Sequence, residues 1–204
     1  MKPALFIDRD GTLNEMVYDE THGLLDSPRR PEQVRMIPGA GRFLREARRM
    51  GFLIIVVTNQ PGIAKGTLTV QELECVNARL MALLKKDEGR WDDLFYCPHH
   101  PEGDNIARQE FAVLCECRKP RPGMLLQAAR KWVIDMARSW MIGDGLNDIE
   151  CGQSAGVRTA LVTKLKVEQI ERFLTWKHGP PTRISESLAV LLSDLDATIP
   201  DQKH

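Results

Sequence analysis

Short apolar runs alternate with longer amphipathic stretches along this chain, and that alternation predicts strands and helices in turn. Ala4–Ile7 reads as a buried strand, ended by the polar turn Asp8-Arg9-Asp10-Gly11. Pro38-Gly39 opens a helix with Phe43, Leu44, Ala47 and Met50 on its apolar face, and Gly51 stops it. Leu53–Val57 is a second buried strand, followed by Thr58-Asn59-Gln60-Pro61-Gly62. Thr69 and Glu72 form a capping-box pattern ahead of a helix with Leu73, Val76, Leu80, Leu83 and Leu84 on one face. Asp93–Cys97 reads as a short third strand, and Pro98 to Gly123 shows no period. Pro122-Gly123 starts a helix over Met124–Trp132. Trp140–Ile142 is a strand ending in Gly143-Asp144, Asn147–Ala155 a helix, Thr159–Val162 a strand and Val167–Trp176 a helix. After the break at Gly179-Pro180-Pro181, Ser185–Leu195 reads as a last helix with Leu188, Leu191, Leu192 and Leu195 aligned. Ala197–His204 reads as a frayed tail, and Glu15–Gln33 is compatible with several loop shapes.

Strand and helix in alternation, joined by short loops, predict an α/β fold: a mostly parallel central sheet between two helical layers. In such sheets the reactive crevice lies at the carboxyl ends of the strands. The polar clusters after Ile7, Val57 and Ile142 all fall at such ends, so three segments distant in sequence are expected to converge.

The length of 204 residues predicts one domain over 1–204, large enough for a core without covalent staples. Lys plus Arg and Asp plus Glu both number 28, a balance that weighs against a broad nucleic-acid surface. No apolar run approaches a membrane span, and the N-terminus lacks a basic region and a long apolar region. The expectation is a cytoplasmic protein with reduced thiols, acting as a monomer, with neither membrane nor nucleic-acid partner.

Asp8 and Asp10 are two carboxylates at one strand end, and a nearby cation would relieve their repulsion. Magnesium suits such hard oxygen ligands. Asp144 and Asp148 arrive from the loop after a later strand. Asp8-Arg9-Asp10-Gly11-Thr12, Thr58, Lys119 and Gly143-Asp144 with Asp148 resemble, in order, the four motifs of the haloacid dehalogenase (HAD) superfamily. The resemblance runs from Phe6 to about Val162, and it implies a Rossmann-like three-layer sandwich and phosphatase chemistry. By that resemblance Asp8 is the nucleophile, Asp10 the general acid–base, and Thr58 and Lys119 hold the phosphoryl oxygens. Mg²⁺ would lie on the Asp8 carboxylate, the Asp10 carbonyl and Asp144, with Asp148 supporting Lys119 or the metal's waters.

Cys97-x-His99 and Cys115-x-Cys117 are two tight pairs of soft or borderline ligands, a set that suits tetrahedral zinc, with His100 also within reach. All four positions filled by protein would make the site structural, tying down the loop over 97–117 and placing Arg118 and Lys119 beside its last ligand. Cys75 and Cys151 read as inert buried thiols on helices. Cys97-Pro98-His99-His100-Pro101-Glu102-Gly103 with Cys115-Glu116-Cys117-Arg118-Lys119-Pro120 is similar to the D-glycero-D-manno-heptose 1,7-bisphosphate phosphatases, relatives of the histidinol-phosphate phosphatases. That likeness puts substrate contacts on Asn59, Gln60 and Arg118. It implies release of the 7-phosphate in lipopolysaccharide biosynthesis. Three departures are visible: Gly145 where the family has Lys, a long segment Glu15–Gln33, and extra residues over Asp104–Val113. The spacing leaves no room for a large cap domain, so the cleft is expected to be open. Another small phosphorylated metabolite, a nucleic-acid end, a phosphotransfer acceptor, or an idle binding protein on the same fold are the competing readings.

Overall fold

The structure, a computed structural model, describes residues 1–20, 23–101 and 106–196. Six parallel strands make the central sheet in the order β5-β4-β1-β6-β7-β8. They are β1 (Ala4–Ile7), β4 (Leu53–Asn59), β5 (Asp93–Cys97), β6 (Trp140–Gly143), β7 (Arg158–Val162) and β8 (Arg183–Ser185). The helices are α1 (Ala40–Arg49), α2 (Val70–Leu84), α3 (Gly123–Trp132), α4 (Leu146–Ser154), α5 (Val167–Phe173) and α6 (Leu188–Asp196).

Successive side chains on a strand face opposite ways, and β1 uses this to feed two cores. Leu5 and Ile7 pack with Phe43 and Leu44 of α1, Leu80 and Leu84 of α2, and Leu188 and Leu191 of α6. Ala4 and Phe6 pack on the other side with Met124, Leu125 and Ala128 of α3 and Cys151 of α4. Strand β4 divides likewise, Ile54 and Val56 to the first core and Ile55 and Val57 to the second. These strands are apolar throughout because both faces are covered. Each such aliphatic side chain contributes about 1.5–3 kcal/mol on burial.

Caps fix the helix ends. The Thr69 and Glu72 side chains exchange hydrogen bonds with each other's backbone N–H, as the capping-box pattern predicts. Gly39 and Gly51 flank α1 at φ +84 and +94, a conformation that costs residues with a Cβ more than glycine.

The observed elements differ from expectation in four places. Ser185 ends strand β8 instead of starting a helix. Helix α6 begins three residues later, where the Ser187 hydroxyl accepts from the Val190 N–H at 3.3 Å. Helix α5 stops at Phe173, not Trp176. Cys75 is exposed, because it sits off the stripe made by Leu73, Val76, Leu80 and Leu84. Within 15–33 there is an antiparallel hairpin, β2 (Val17–Asp19) and β3 (Leu24–Asp26), with Val17 opposite Asp26. Arg29 pairs with Asp26 at 2.6 Å and with Asp19 at 3.1 Å, binding the two strands together. The tail 197–204 and residues 102–105 of the long loop lie outside the described residues.

Helix α4 approaches the sheet closely at Gly152. A Cβ there would lie 2.6 Å from Thr159 Cγ2 and 2.7 Å from Met141 Cβ. Gly152→Ala is expected to lower unfolding stability by about 1–3 kcal/mol through overpacking, read from the shift in the urea midpoint. An unchanged midpoint would refute this packing.

Candidate active site

Strand register places the polar clusters together. Ile7 of β1 lies opposite Val56 of β4 and Ile142 of β6. Asp8, Thr58 and Asp144 therefore leave three adjacent strands at one edge of the sheet. The Asp8 N–H continues the ladder by donating to the Ile142 carbonyl at 2.9 Å. The chain then turns tightly, with the N–H groups of Leu13 and Asn14 both donating to the Arg9 carbonyl. Gly11 holds that turn at φ +86, and any Cβ on it would strike the Asp144 carboxylate.

Lys119 reaches this edge from the loop before α3. Its ammonium is buried and donates to Asp8 Oδ1 at 2.7 Å and to the Val57 carbonyl at 2.9 Å. It also pairs with Asp148 Oδ1 at 2.6 Å. Both amide atoms of Asn59 fix the Lys119 backbone: Nδ2 donates to its carbonyl at 3.0 Å, and Oδ1 accepts from its N–H at 3.0 Å. Arg118 donates from Nη1 to the His99 carbonyl at 3.1 Å.

The Asp10 carboxylate, also buried, is surrounded by donors. Arg9 binds it through two nitrogens at 3.0 and 2.9 Å, Asn14 Nδ2 at 3.0 Å, Gln60 Nε2 at 2.7 Å and Ser27 Oγ at 2.9 Å. Gln60 Nε2 also donates to Thr58 Oγ1 at 2.9 Å. Arg9 is anchored in turn by Asn77 of α2 at 2.7 Å. Asn59 thus spends both amide atoms, and Gln60 its nitrogen, on other protein groups. The sequence reading had put both on substrate and had given Ser27 and Asn77 no role. A lone serine in a loop and an asparagine on a distant helix carry no local signal.

Electrostatics separate the carboxyls. Burial pushes Asp8 up to about 8, against the lowering effect of Lys119. Asp144, open to solvent on one side, is pushed up to about 6 by desolvation first and by Asp148 next. Burial also acts to raise Asp10, yet the Arg9 guanidinium and its hydrogen bonds outweigh it and hold the carboxyl below its ordinary value. Lys119 is held above its ordinary value, because Asp148 and Asp8 more than offset desolvation. One buried ammonium faces three carboxylates whose oxygens lie within 4.8 Å of one another: Asp8, Asp144 and Asp148. Hard oxygens in excess of positive charge are the donor set that fits a magnesium ion.

Cys97, His99, Cys115 and Cys117 form a second cluster. Cys97 Sγ lies 3.5 Å from His99 Nδ1, 3.6 Å from Cys115 Sγ and 3.2 Å from Cys117 Sγ. Tetrahedral zinc at the usual bond lengths would set S–S edges of about 3.8 Å and S–N edges of about 3.6 Å. The four atoms are thus nearly in place. The shared contact between Cys97 and Cys117 pulls the Cys117 thiol down to about 5 and, with burial, pushes the Cys97 thiol up.

Residues 116–191 match the HAD-hydrolase-like family model. The chain is 40% identical over 162 residues to the D-glycero-beta-D-manno-heptose-1,7-bisphosphate 7-phosphatase of Escherichia coli K12, covering 79% of each chain. It is 36% identical over 156 residues to the enzyme of that name from Rhodopseudomonas palustris, covering 76% of this chain and 81% of that one. A HAD-like phosphatase structure from Mesorhizobium loti superposes with a TM-score of 0.78 at 29% identity, covering 99% of this chain and 90% of that one. The D,D-heptose 1,7-bisphosphate phosphatase of B. bronchiseptica, solved with magnesium and phosphate, gives a TM-score of 0.77 at 26% identity, covering 97% and 99%. Strand order, the carboxylate–ammonium cluster and these likenesses agree: the chain belongs to the HAD-like hydrolases, in the branch of the heptose bisphosphate phosphatases, and is a phosphatase.

Proposed function

We propose that the protein hydrolyses the 7-phosphate of D-glycero-D-manno-heptose 1,7-bisphosphate through an aspartyl-phosphate on Asp8. The observation that carries this is the pairing of Asp8 with buried Lys119 beside Thr58, in a chain 40% identical to an enzyme of that name. A carboxylate oxygen of Asp8 attacks phosphorus while the bond to the sugar oxygen breaks. Lys119 and the Thr58 hydroxyl hold the equatorial oxygens, and Asp10 passes the departing oxygen a proton, one it must take up with the substrate because Arg9 holds the free carboxyl ionised. Water then attacks the phosphorus of the acyl phosphate, Asp10 takes its proton, and phosphate leaves with the Asp8 carboxylate restored. Asp8 and Asp144, with Asp10, would hold a magnesium ion, which would supply the charge neutralisation that lets two anions approach. Asp148 orients Lys119. Arg118, with one nitrogen fixed on His99, turns its remaining donors to the second phosphate.

A cleft of about 380 Å³ beside the hairpin is lined by Asp19, Asp26, Ser27, Arg29 and Arg30, and one of about 840 Å³, lined by Gly11, Thr12, Leu25 and Asp144, opens on the carboxylates and has room for a sugar phosphate. The zinc-fitting cluster ends two residues before Lys119, so a zinc ion on Cys97, His99, Cys115 and Cys117 would act as a structural clamp on the catalytic loop. No described helix is long and apolar enough to cross a membrane.

Phosphate release with Mg²⁺ should be measured on both heptose 1,7-bisphosphate anomers, histidinol phosphate, hexose phosphates and a 3′-phosphorylated oligonucleotide. A heptose bisphosphate is expected to lead in kcat/KM, and a different leader would replace the substrate assignment. Asp8→Asn is expected to keep the fold and to lower kcat by at least about 10³-fold. Comparable turnover would end the nucleophile role.

Magnesium should also set the pH dependence of stability. Asp144 and Asp8 bind protons more tightly folded than unfolded, at about 6 and about 8 against an ordinary 3.8. Their stabilising contribution is complete below the ordinary value and is lost as pH rises through 6 towards 8. In a chelator the urea midpoint should therefore fall over that range, and excess Mg²⁺ should flatten the fall. A midpoint that rises with pH in the chelator would contradict the cluster's electrostatics. Dialysed protein is expected to hold one zinc per chain by elemental analysis, and Cys117→Ser to lose it along with most turnover. Metal-free protein with intact thiols and full activity would remove the clamp.

A further inference from the structure

Of the hydrogen bonds on the Asp10 carboxylate, those from Arg9, Asn14 and Gln60 arise in the catalytic loop and at the end of β4. The Ser27 hydroxyl, 2.9 Å from Oδ2, comes from outside that frame, directly after β3 of the hairpin. The hairpin is well placed to hold it. Arg29 joins Asp19 to Asp26, and the Ser27 N–H donates to Asp26 Oδ1 at 2.8 Å. Ser27 also lines the cleft, so a substrate entering there meets the residue that touches Asp10.

Ser27 differs chemically from its companions. A guanidinium or an amide nitrogen only donates, whereas a hydroxyl donates or accepts. Arg9 can only donate, and Asn14 and Gln60 face Asp10 with their amide nitrogens, so they could accept from a carboxylic acid only by turning the amide over. The Ser27 hydroxyl can rotate its proton without moving its oxygen, so it stays beside Oδ2 in either protonation state.

We infer that Ser27 is a positioning residue for Asp10, holding Oδ2 in place through both halves of the reaction and coupling the hairpin to proton transfer. The inference rests on the phosphatase reading above. As the P–O bond to the leaving group breaks, its electron pair takes the proton from Asp10 Oδ2. The carboxylate that remains again accepts from Ser27. When water attacks the acyl phosphate its proton goes back to Oδ2.

A series of aryl and alkyl phosphates tests this, because poor leaving groups need the proton and good ones do not. Log kcat/KM is plotted against leaving-group pKa for the unaltered chain, Ser27→Ala, Ser27→Thr and Asp10→Asn, each with its urea midpoint. Ser27→Ala is expected to lose about tenfold more on an alkyl phosphate than on 4-nitrophenyl phosphate, the size of one hydrogen bond to a charged group. Its slope should move towards that of Asp10→Asn, and Ser27→Thr should restore it. A merely structural role would lower every substrate equally. An equal loss across the series, no loss, or a threonine that fails to restore the slope would overturn the inference while leaving the phosphatase reading intact. Failure of the unaltered chain to hydrolyse any ester would overturn both.

Discussion

Lys119 is 4% exposed and holds its ammonium between the carboxylates of Asp8 and Asp148, at 2.7 and 2.6 Å. Removing one member of a buried ion pair typically costs about 3–5 kcal/mol, because it strands the other charge. The fold must therefore deliver all three groups together. Asp8 comes from β1, Asp148 from the first turn of α4, and Lys119 from a loop with no strand of its own. That loop needs external support, and it has it on two sides. Asn59 clamps the Lys119 backbone through both amide atoms, and Cys117, two residues earlier, joins the cysteine–histidine cluster. With Asp144 added, the group carries more negative than positive charge. Desolvation first, and the Asp148 charge next, raise Asp144 to about 6, and the excess of negative charge makes the place suitable for a divalent cation.

The parallel sheet was legible because its strands are buried on both faces and so read as unbroken apolar runs. Helices α1 and α2 were legible for a different reason, a single apolar stripe bounded by glycine or by the Thr69–Glu72 box. The hairpin shows neither signal. Its strands are three residues long, and Tyr18 and Leu25 are 61% and 62% exposed. It is held by Arg29 on two aspartates, a contact between side chains that no periodicity announces. Strand β8 escaped notice likewise. Only three residues long and exposed at Arg183 and Ile184, it merges in sequence with the leucines of the next helix.

The site divides along the same line. Asp8, Asp10, Thr58 and Asp144 stand at the ends of readable strands, and their convergence follows from register alone. Sequence spacing does not reveal where an amide points. Asn59 and Gln60 fall where substrate contacts would be expected, yet one braces Lys119 and the other bridges Asp10 to Thr58.

Gly145 and Gly11 show two different reasons for a glycine beside the carboxylate cluster. Its φ is −126, and a Cβ there would meet only Asp148 Oδ2, at 3.6 Å. Neither backbone nor packing demands glycine, so a longer side chain would fit at this rim. Gly11 is the opposite case, since a Cβ there collides with Asp144. Asp8, Lys119 and Asp148 are locked by the sheet and by one another, while position 145 makes no such demand on its side chain. A side chain longer than glycine at 145 would therefore leave the Lys119–Asp148 pair and the Gly11 turn as they stand.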